Sequence, residues 1–259
     1  GIDALEKAGF VVTKRNLGAG SRGLVPDSKN SKSPFSNLKV RQAVAYAIDN
    51  QAVTKALSFG ENEPANQIIY KGHWGYNSSI SGYPYNPNKA KQLLAEAGYQ
   101  TGFKTKIMYG TNAENDQLFT AIQGYLKAAG IEAELVPTQS AKMNHLIFGG
   151  TWEGFVASQA TGNPDVLSLL STQFAGVNNY TQMLIPDDYL KAIQSAVSAS
   201  DFSDKQKYTQ EAMKLMIDKY CLQMPIYCGL EFAVSQKYLL NHGFEGTPNT
   251  PWWTPEEAW

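Results

Sequence analysis

The sequence predicts an α/β (α+β) fold in which helices pack on a mixed sheet. Segments with helical periodicity alternate with short β-type segments along most of the chain, which is typical of such layered folds. The helical segments also begin and end at residues that favour helix termini. With 259 residues, of which 43% are hydrophobic and 17% charged, the chain is long enough for one large core or two modest domains.

The N-terminal part predicts a helix, a strand and a turn-rich connection. Residues 2–9 have helical character, residues 10–17 have β character, and residues 18–34 are rich in turn residues. Residues 18–23 match the G-x-G-x-x-G pattern, but an extended segment follows them instead of the helix that a dinucleotide site needs. We therefore interpret this stretch as a connector.

Two capped helices are predicted in the sequence PFSNLKVRQAVAYAIDNQAVTKAL, which starts at Pro34. Asn37 is expected to cap the first helix. Its apolar residues recur every four positions, at Val40, Val44 and Ile48. Asn50 is expected to cap the second helix, which should end at Gly60.

A third capped helix is predicted in GYPYNPNKAKQLLAEAGY, residues 82–99. Asn86 supplies the cap, and Pro87 occupies the first helical position, where its missing N–H costs nothing. Gly98 is expected to end the helix in a left-handed conformation. The apolar stripe consists of Leu93, Leu94 and Ala97.

Further elements follow from the same patterns. Helices are predicted over 113–129, around 139–148, within 160–174, from Pro186 through Leu190 and Ile193, and after a Ser203 cap with Tyr208, Leu215 and Met216 on the core face. Strands are predicted over 103–109, 131–135, 152–158, 225–227 and 232–234.

The composition argues against nucleic-acid binding and catalysis. The net charge is −1 and the chain has only three arginines, so no strong field attracts phosphates. The three histidines stand singly, and no nucleophile elbow, zinc-protease or phosphate-loop motif occurs. We predict that the protein is not an enzyme and that it has no cofactor and no metal site.

Several features allow two interpretations. Arg41 could clamp a carboxylate or pair with an acid at the edge of the core, and we favour the ion pair. Cys221 and Cys228 could form a disulfide, but we favour buried free thiols. Four aromatic residues cluster before the third capped helix: Trp74, Tyr76, Tyr83 and Tyr85. They could face a ligand or seal their loop onto the fold, and we favour the second.

Two of the quoted strings closely resemble a known family. VRQAVAYAID and YNPNKAKQLLAEAGY are similar to the patterns VRQA…AID and YDP…AK.LL.EAGY of the family 5 extracellular solute-binding proteins of ABC importers. That group contains the dipeptide, oligopeptide and nickel receptors. The resemblance extends over about 34–259 and is strongest at 37–50 and 83–99. It implies one lobe of a two-lobe periplasmic-binding-protein type II fold.

The resemblance also implies a division into three segments. Residues 1–33 would be an incomplete hinge or connecting segment from a preceding lobe. Residues 34–221 would form the solute-binding C-terminal lobe, and 222–259 would be a tail that returns to the other, mostly absent lobe. Family members are longer than this chain. We therefore expect it to begin inside a longer protein, whose absent N-terminus would carry a lipid anchor.

The resemblance places the segment 152–180 against a ligand. In the dipeptide-receptor branch an aspartate there binds the amino group of the peptide, and Ala160 stands at its position. Residues 108–121 contain no Lys or Arg, although that branch has basic residues there for the carboxylate. We therefore expect a ligand that is not held by both charged ends as a dipeptide is. The predicted contact residues are Ser158, Gln159, Thr161, Asn163, Asn179 and Tyr180.

The implied function is solute capture without chemistry. Two lobes would close on a peptide or peptide-like solute and deliver it to the transmembrane subunits of an ABC permease. This would occur in the periplasm or at the extracellular face of a bacterial membrane, which the protein would reach only through its lipid anchor. A non-peptide solute such as a sugar, opine or metal chelate is an alternative, and so is the ligand-sensing domain of a regulator.

Overall fold

Helices and strands alternate along the chain, as the sequence predicts. This computed structural model describes residues 2–16, 20–57, 62–158, 165–175 and 180–240. The helices of this part are Ile2–Lys7 (α1), Leu38–Ala47 (α2), Asn50–Leu57 (α3), Pro87–Glu96 (α4), Ala113–Ala129 (α5), Ser140–Gly149 (α6), Val166–Gln173 (α7), Asp187–Ser198 (α8) and Phe202–Lys214 (α9). The strands are Phe10–Asn16 (β1), Arg22–Pro26 (β2), Glu63–Pro64 (β3), Phe103–Gly110 (β4), Ile131–Thr138 (β5), Phe155–Ser158 (β6), Met224–Cys228 (β7) and Leu230–Gln236 (β8).

Six of these strands form one mixed sheet, in the order β3-β7-β2-β6-β4-β5. β4 runs parallel to β5 and β6, whereas the pairs that involve β2 and β7 are antiparallel. β1 and β8 form a separate antiparallel ribbon. The predicted class, a mixed sheet with packed helices, is therefore confirmed.

The structure confirms the helix caps that the sequence placed most clearly. The side chain of Asn37 accepts a hydrogen bond from a backbone N–H of the first turn of α2 at 2.9 Å, and Asn86 does the same for α4 at 3.0 Å. Pro87 is the first residue of α4. Gly98 and Gly130 adopt left-handed conformations, with φ of 88° and 99°; Gly98 lies two positions after the end of α4, and Gly130 directly follows α5.

The predicted cap of α3 is wrong. Asp49 caps this helix, because its carboxylate accepts a hydrogen bond from the backbone N–H of Ala52 at 2.9 Å. Asn50 instead donates to the carbonyl oxygen of Pro225 at 2.8 Å and so ties α3 to β7. The two neighbouring polar residues are equally suited to capping, and the tertiary contact of Asn50 decides between them.

The predicted start of α9 is also wrong. Asp201, not Ser203, accepts the capping hydrogen bond, from the backbone N–H of Asp204 at 2.8 Å. Tyr208, which was expected in the core, is only partly buried. The buried residues of α9 are Thr209, Ala212 and Met213.

Arg41 does not form the favoured ion pair with an acidic residue among the described residues. The residue is 2% exposed, and its guanidinium donates only to backbone carbonyl oxygens in the contacts that the structure shows. Two donors reach Tyr220 at 2.8 and 3.0 Å, and a third reaches Phe35 at 2.8 Å and Ser36 at 3.1 Å. Arg41 thus joins the turn before α2 to the end of the π-helical segment Leu215–Lys219.

The aromatic loop packs largely onto the fold, as favoured from the sequence. Trp74 contacts the ring of Phe202 with centroids 5.4 Å apart. The hydroxyl of Tyr83 donates to the carbonyl oxygen of Asp218 at 2.8 Å. Tyr85 is the exception, because it is 47% exposed.

The buried core contains a group of aromatic rings around Phe35. Phe35 is fully buried, and its ring lies 4.2 Å from that of Phe155 and 5.7 Å from that of Phe103, measured between centroids.

Cys221 and Cys228 are buried free thiols, which confirms the favoured interpretation. Burial raises the pKa of both thiols to about 12, so they stay protonated and inert at neutral pH.

The six-stranded sheet is assembled from all three segments into which the chain was divided. β2 comes from residues 1–33 and β7 from residues 222–259, yet both lie between β3 and β6. The β1–β8 ribbon, which is paired from Phe10–Gln236 to Asn16–Leu230, lies outside this sheet. The return of these segments to a second lobe remains a prediction.

Candidate functional site

The order of the parallel strands marks one end of the sheet as a candidate site. The chain passes from β4 through α5 to β5 on one side, and then through α6 to β6 on the other side of β4. Such a reversal leaves a crevice at the carboxyl ends of the strands, where α/β proteins commonly bind ligands. We call this end, at Gly110, Thr138 and Ser158, the carboxyl edge.

The antiparallel strands β2 and β7 bring two more side chains to the carboxyl edge. Gly23 is paired with Ser158 of β6, and Arg22 is paired with Tyr227 of β7. The register of β2 against β7 shifts between Arg22 and Gly23, and such a bulge re-aims the side chain beside it. A Cβ at Gly23 would lie only 2.1 Å from the carbonyl oxygen of Met224, so this close approach requires glycine.

Arg22, Glu114, Asn115 and Tyr227 form a polar cluster there. The Nη2 atom of Arg22 lies 3.4 Å from Oε2 of Glu114, and its Nη1 lies 3.5 Å from Oδ1 of Asn115. The Tyr227 hydroxyl donates to Oε1 of Glu114 at 2.5 Å. The Glu114 side chain is 51% exposed and that of Arg22 is 17% exposed, whereas Asn115 and Tyr227 are buried, so the cluster reaches solvent through Glu114.

The cluster combines two oppositely charged side chains with a neutral hydroxyl. Glu114 lies in the first turn of α5, where the positive end of the helix dipole stabilises an anion. Burial raises the pKa of Tyr227, and its hydrogen bond to Glu114 adds to that shift. Tyr227 therefore stays a neutral donor, and the cluster presents one cation, one anion and one hydroxyl side by side.

Ser158 belongs to a second, buried group at the same edge. Its hydroxyl donates to the carbonyl oxygen of Ser21 at 3.1 Å and accepts a hydrogen bond from Nε2 of Gln223 at 2.8 Å. The same Nε2 atom lies 3.1 Å from the Ser21 hydroxyl. This network fastens β6 to the start of β2, and the role of Ser158 as a ligand contact stays a prediction.

Tyr180 is placed differently from Ser158. It is buried, its ring stacks on Phe174 with centroids 5.1 Å apart, and its backbone φ is +41°. Burial raises the pKa of its hydroxyl. The other four predicted contact residues lie outside the described residues: Gln159, Thr161, Asn163 and Asn179.

The sequence reasoning missed Arg22, Glu114 and Tyr227. The expected basic residue was sought within 108–121, where none occurs, but Arg22 reaches this region from β2. The signal available in the sequence was the rarity of arginine combined with its position beside Gly23 in a short strand. Their proximity depends on strand pairing, which no local pattern predicts.

Within the described ranges, no three His, Cys, Asp or Glu side chains are grouped so that they could hold a metal ion. In the same ranges no helix combines the length and the apolar character needed to span a bilayer.

Relatives of known name match parts of this chain. The dipeptide-binding protein of Escherichia coli strain K12 is 27% identical over 200 residues, which cover 73% of this chain and 37% of that protein. Heme-binding protein A of Haemophilus influenzae is 51% identical over 74 residues, or 29% of this chain and 14% of that protein.

A solved structure shows the same fold. The ABC transporter-associated periplasmic binding protein DppA from Helicobacter pylori, in complex with the peptide STSA, superposes with a TM-score of 0.80 at 21% identity. The match covers 96% of this chain and 49% of that chain, so the present chain spans about half the length of this protein. The fold is therefore that of one part of a type II periplasmic binding protein.

The family model of bacterial extracellular solute-binding proteins, family 5 Middle, matches residues 2–181. This range includes the capped helices α2 and α4, the parallel strands and the first turn of α5 with Glu114. It therefore contains the sequence strings that resembled the family and most of the carboxyl edge. The chain belongs to the family 5 bacterial extracellular solute-binding proteins.

Proposed function

We propose that this chain is part of the substrate-binding component of an ABC importer that captures a peptide or peptide-like solute. The observation that carries the proposal is the polar carboxyl edge, which lies at the switch point of the sheet in a chain of this family. The dipeptide-binding relative, which matches 73% of this chain, supports a peptide-like solute.

The mechanism would be binding through lobe closure. The carboxyl edge would form one wall of the cleft, and the β1–β8 ribbon, which leaves the sheet where β2 begins and β7 ends, would lead to the other lobe. Closure would bury most of the solute, and affinity would come from contacts made only in the closed state. Binding by this route needs no nucleophile or base, in keeping with a receptor rather than an enzyme.

The loops after β6 would complete the wall. Gln159, Thr161, Asn163 and Asn179 follow β6 and α7 in the sequence and carry amide or hydroxyl groups suited to an uncharged or backbone-like ligand. Ser158 would hold the base of this loop through its network with Ser21 and Gln223.

The partner and location follow from the same proposal. The closed receptor would dock on the transmembrane subunits of an ABC permease in the periplasm or at the extracellular face of the bacterial membrane. A lipid anchor would attach it to that membrane. Family membership supports this placement.

Purification of the full-length protein without denaturant, followed by mass spectrometry of the released small molecules, tests the proposal. We expect a peptide-like solute that rebinds the emptied protein in calorimetry. A protein that releases and rebinds no solute, or one that converts its solute into a product, would contradict the proposed function.

A non-peptide solute is a second candidate for the same site. The 51% identity with heme-binding protein A over 74 residues favours it. The same mass spectrometry decides between them, because heme absorbs visible light and has a mass distinct from that of short peptides.

A further inference from the structure

We propose that Arg22 and Glu114 together bind the zwitterionic headgroup of an α-amino acid, that is, a free ammonium and a free carboxylate on one carbon. This inference rests on the proposed solute-binding function and specifies the chemistry of its solute. The two residues offer opposite charges at one point of the carboxyl edge, with Nη2 and Oε2 only 3.4 Å apart.

The geometry of the pair suits both charges of such a headgroup. The guanidinium of Arg22 is a planar fork that binds a carboxylate through two parallel hydrogen bonds. Glu114 accepts hydrogen bonds and attracts an ammonium. Because the two groups are adjacent, a ligand must carry its own charges equally close together to use both.

The N···O contact between Arg22 and Glu114 is longer than a usual charged hydrogen bond. Its N···O distance of 3.4 Å exceeds the ~2.7–2.9 Å that is usual for a charged hydrogen bond. Lys39 and Glu96 approach to 2.9 Å and Lys219 and Asp188 to 2.6 Å, whereas the highly exposed Lys104 and Glu132 lie 3.5 Å apart. A zwitterionic headgroup can therefore replace the long contact between Arg22 and Glu114 by two shorter ones. Its carboxylate would bind Arg22, and its ammonium would bind Glu114.

The exposure of the two side chains also favours binding over a purely structural role. Arg22 is already largely withdrawn from water, at 17% exposure, so the fold has removed much of its hydration. Glu114 keeps half of its surface open, at 51%, and remains accessible to a solute. Tyr227 holds Glu114 in place by its 2.5 Å hydrogen bond.

A headgroup of this kind differs from the two ends of an ordinary peptide. In an α-linked dipeptide the free ammonium and the free terminal carboxylate belong to different residues, whose Cα atoms are about 3.8 Å apart. A γ-glutamyl peptide keeps both groups on one carbon. The isomers γ-Glu-Gly and α-Glu-Gly have the same atoms and the same net charge, so they isolate this feature.

Calorimetry of both isomers with the full-length, emptied protein tests the inference. We expect γ-Glu-Gly to bind at least about tenfold more tightly than α-Glu-Gly. Arg22→Gln and Glu114→Gln should each abolish this preference. Lys104→Gln and Glu132→Gln remove the same charges from an exposed pair at the other end of β4 and should preserve it.

Equal binding of the isomers by the unmodified protein, or a preference for α-Glu-Gly, would overturn the inference, and this result needs no variant to fold. A protein that binds neither isomer but rebinds its co-purified solute would also overturn it, while leaving the proposed function intact. A protein that binds no solute at all would contradict the proposed function itself. A preference that persists in both folded Gln variants would assign the selectivity to other residues and overturn the roles of Arg22 and Glu114.

Discussion

Arg41 and Arg22 are the same residue type in two very different settings. Arg41 is 2% exposed and donates to three backbone carbonyl oxygens at 2.8–3.1 Å. Arg22 is partly exposed at the carboxyl edge and reaches two side chains at 3.4 and 3.5 Å. A guanidinium whose donors are satisfied by the backbone stabilises the fold, whereas one that is loosely held beside solvent has donors to offer a ligand.

Of the substitutions that test this contrast, Arg41→Met should cause the largest loss in the free energy of unfolding. The substitution leaves the carbonyl oxygens of Phe35, Ser36 and Tyr220 without this donor. Because each unpaired acceptor costs about 1–3 kcal/mol, the free energy of unfolding should fall by about 3–5 kcal/mol. Urea denaturation followed by circular dichroism measures it. A loss below about 1 kcal/mol would show that Arg41 is not the structural residue of the two.

The second effect concerns the bulge that aims Arg22. In Gly23→Ala the new methyl group meets the carbonyl oxygen of Met224 at 2.1 Å, and β2 must move away from β7. We expect a loss of about 1–3 kcal/mol in the free energy of unfolding. Equilibrium denaturation with guanidinium chloride measures this loss.

Gly124→Ala is the matched control for Gly23→Ala. Gly124 is exposed within α5, and nothing lies within 4 Å of its added Cβ. Alanine should therefore stabilise the protein by roughly 0.5–1 kcal/mol. If both substitutions had the same sign, close packing at Gly23 would not be the cause.

The third effect is the pH dependence of stability that Asp27 causes at the opposite end of β2. Asp27 is buried there, and burial raises the pKa of its carboxyl although Ser33 donates to it at 2.5 Å. Because the folded state holds this proton more tightly, the free energy of unfolding should fall as pH rises from the ordinary aspartate pKa through the raised one. The fall is about 1.4 kcal/mol for each unit between the two pKa values.

Denaturation at a series of pH values measures the contribution of Asp27. Asp27→Asn cannot titrate at this position, so the stability of the unmodified protein relative to that of Asp27→Asn should fall as pH rises through this acidic window. Parallel curves for the two proteins would contradict the raised pKa of Asp27.

The smallest expected effect on stability is that of Arg22→Met. A partly exposed ion pair at 3.4 Å contributes little, so the free energy of unfolding should change by less than about 1 kcal/mol. Solute affinity should nevertheless fall measurably in calorimetry. A stability loss as large as that of Arg41→Met would erase the distinction between the two arginines.

Local elements followed from the sequence where one residue had no competitor. Asn86 and Pro87 start α4, and the capping hydrogen bond of Asn86 is local, so short-range contacts determine the start of this helix. Where two neighbouring polar residues could both cap a helix, as Asp49 and Asn50 could for α3, the sequence does not determine which one does. In the structure the side chain of Asn50 donates to the carbonyl oxygen of Pro225, which is distant in sequence.

The candidate site was less accessible to sequence reasoning than the fold. Glu114 and Arg22 are 92 positions apart in the chain, and Tyr227 is 113 positions from Glu114. Their meeting requires β2 to lie between β6 and β7 in one register, with a bulge at Gly23. Ser158 was singled out from the family resemblance, and its network with Gln223 appears only in the folded chain.

The amino-acid sequence by itself determined the family and the positions of the main helices and strands, because caps and hydrophobic periodicity act over a few residues. Only the tertiary structure decided which arginine is buried among backbone carbonyl oxygens and which is exposed beside Glu114. The reason is physical: burial and charge pairing arise from strand order and register, which bring together side chains that are far apart in the chain.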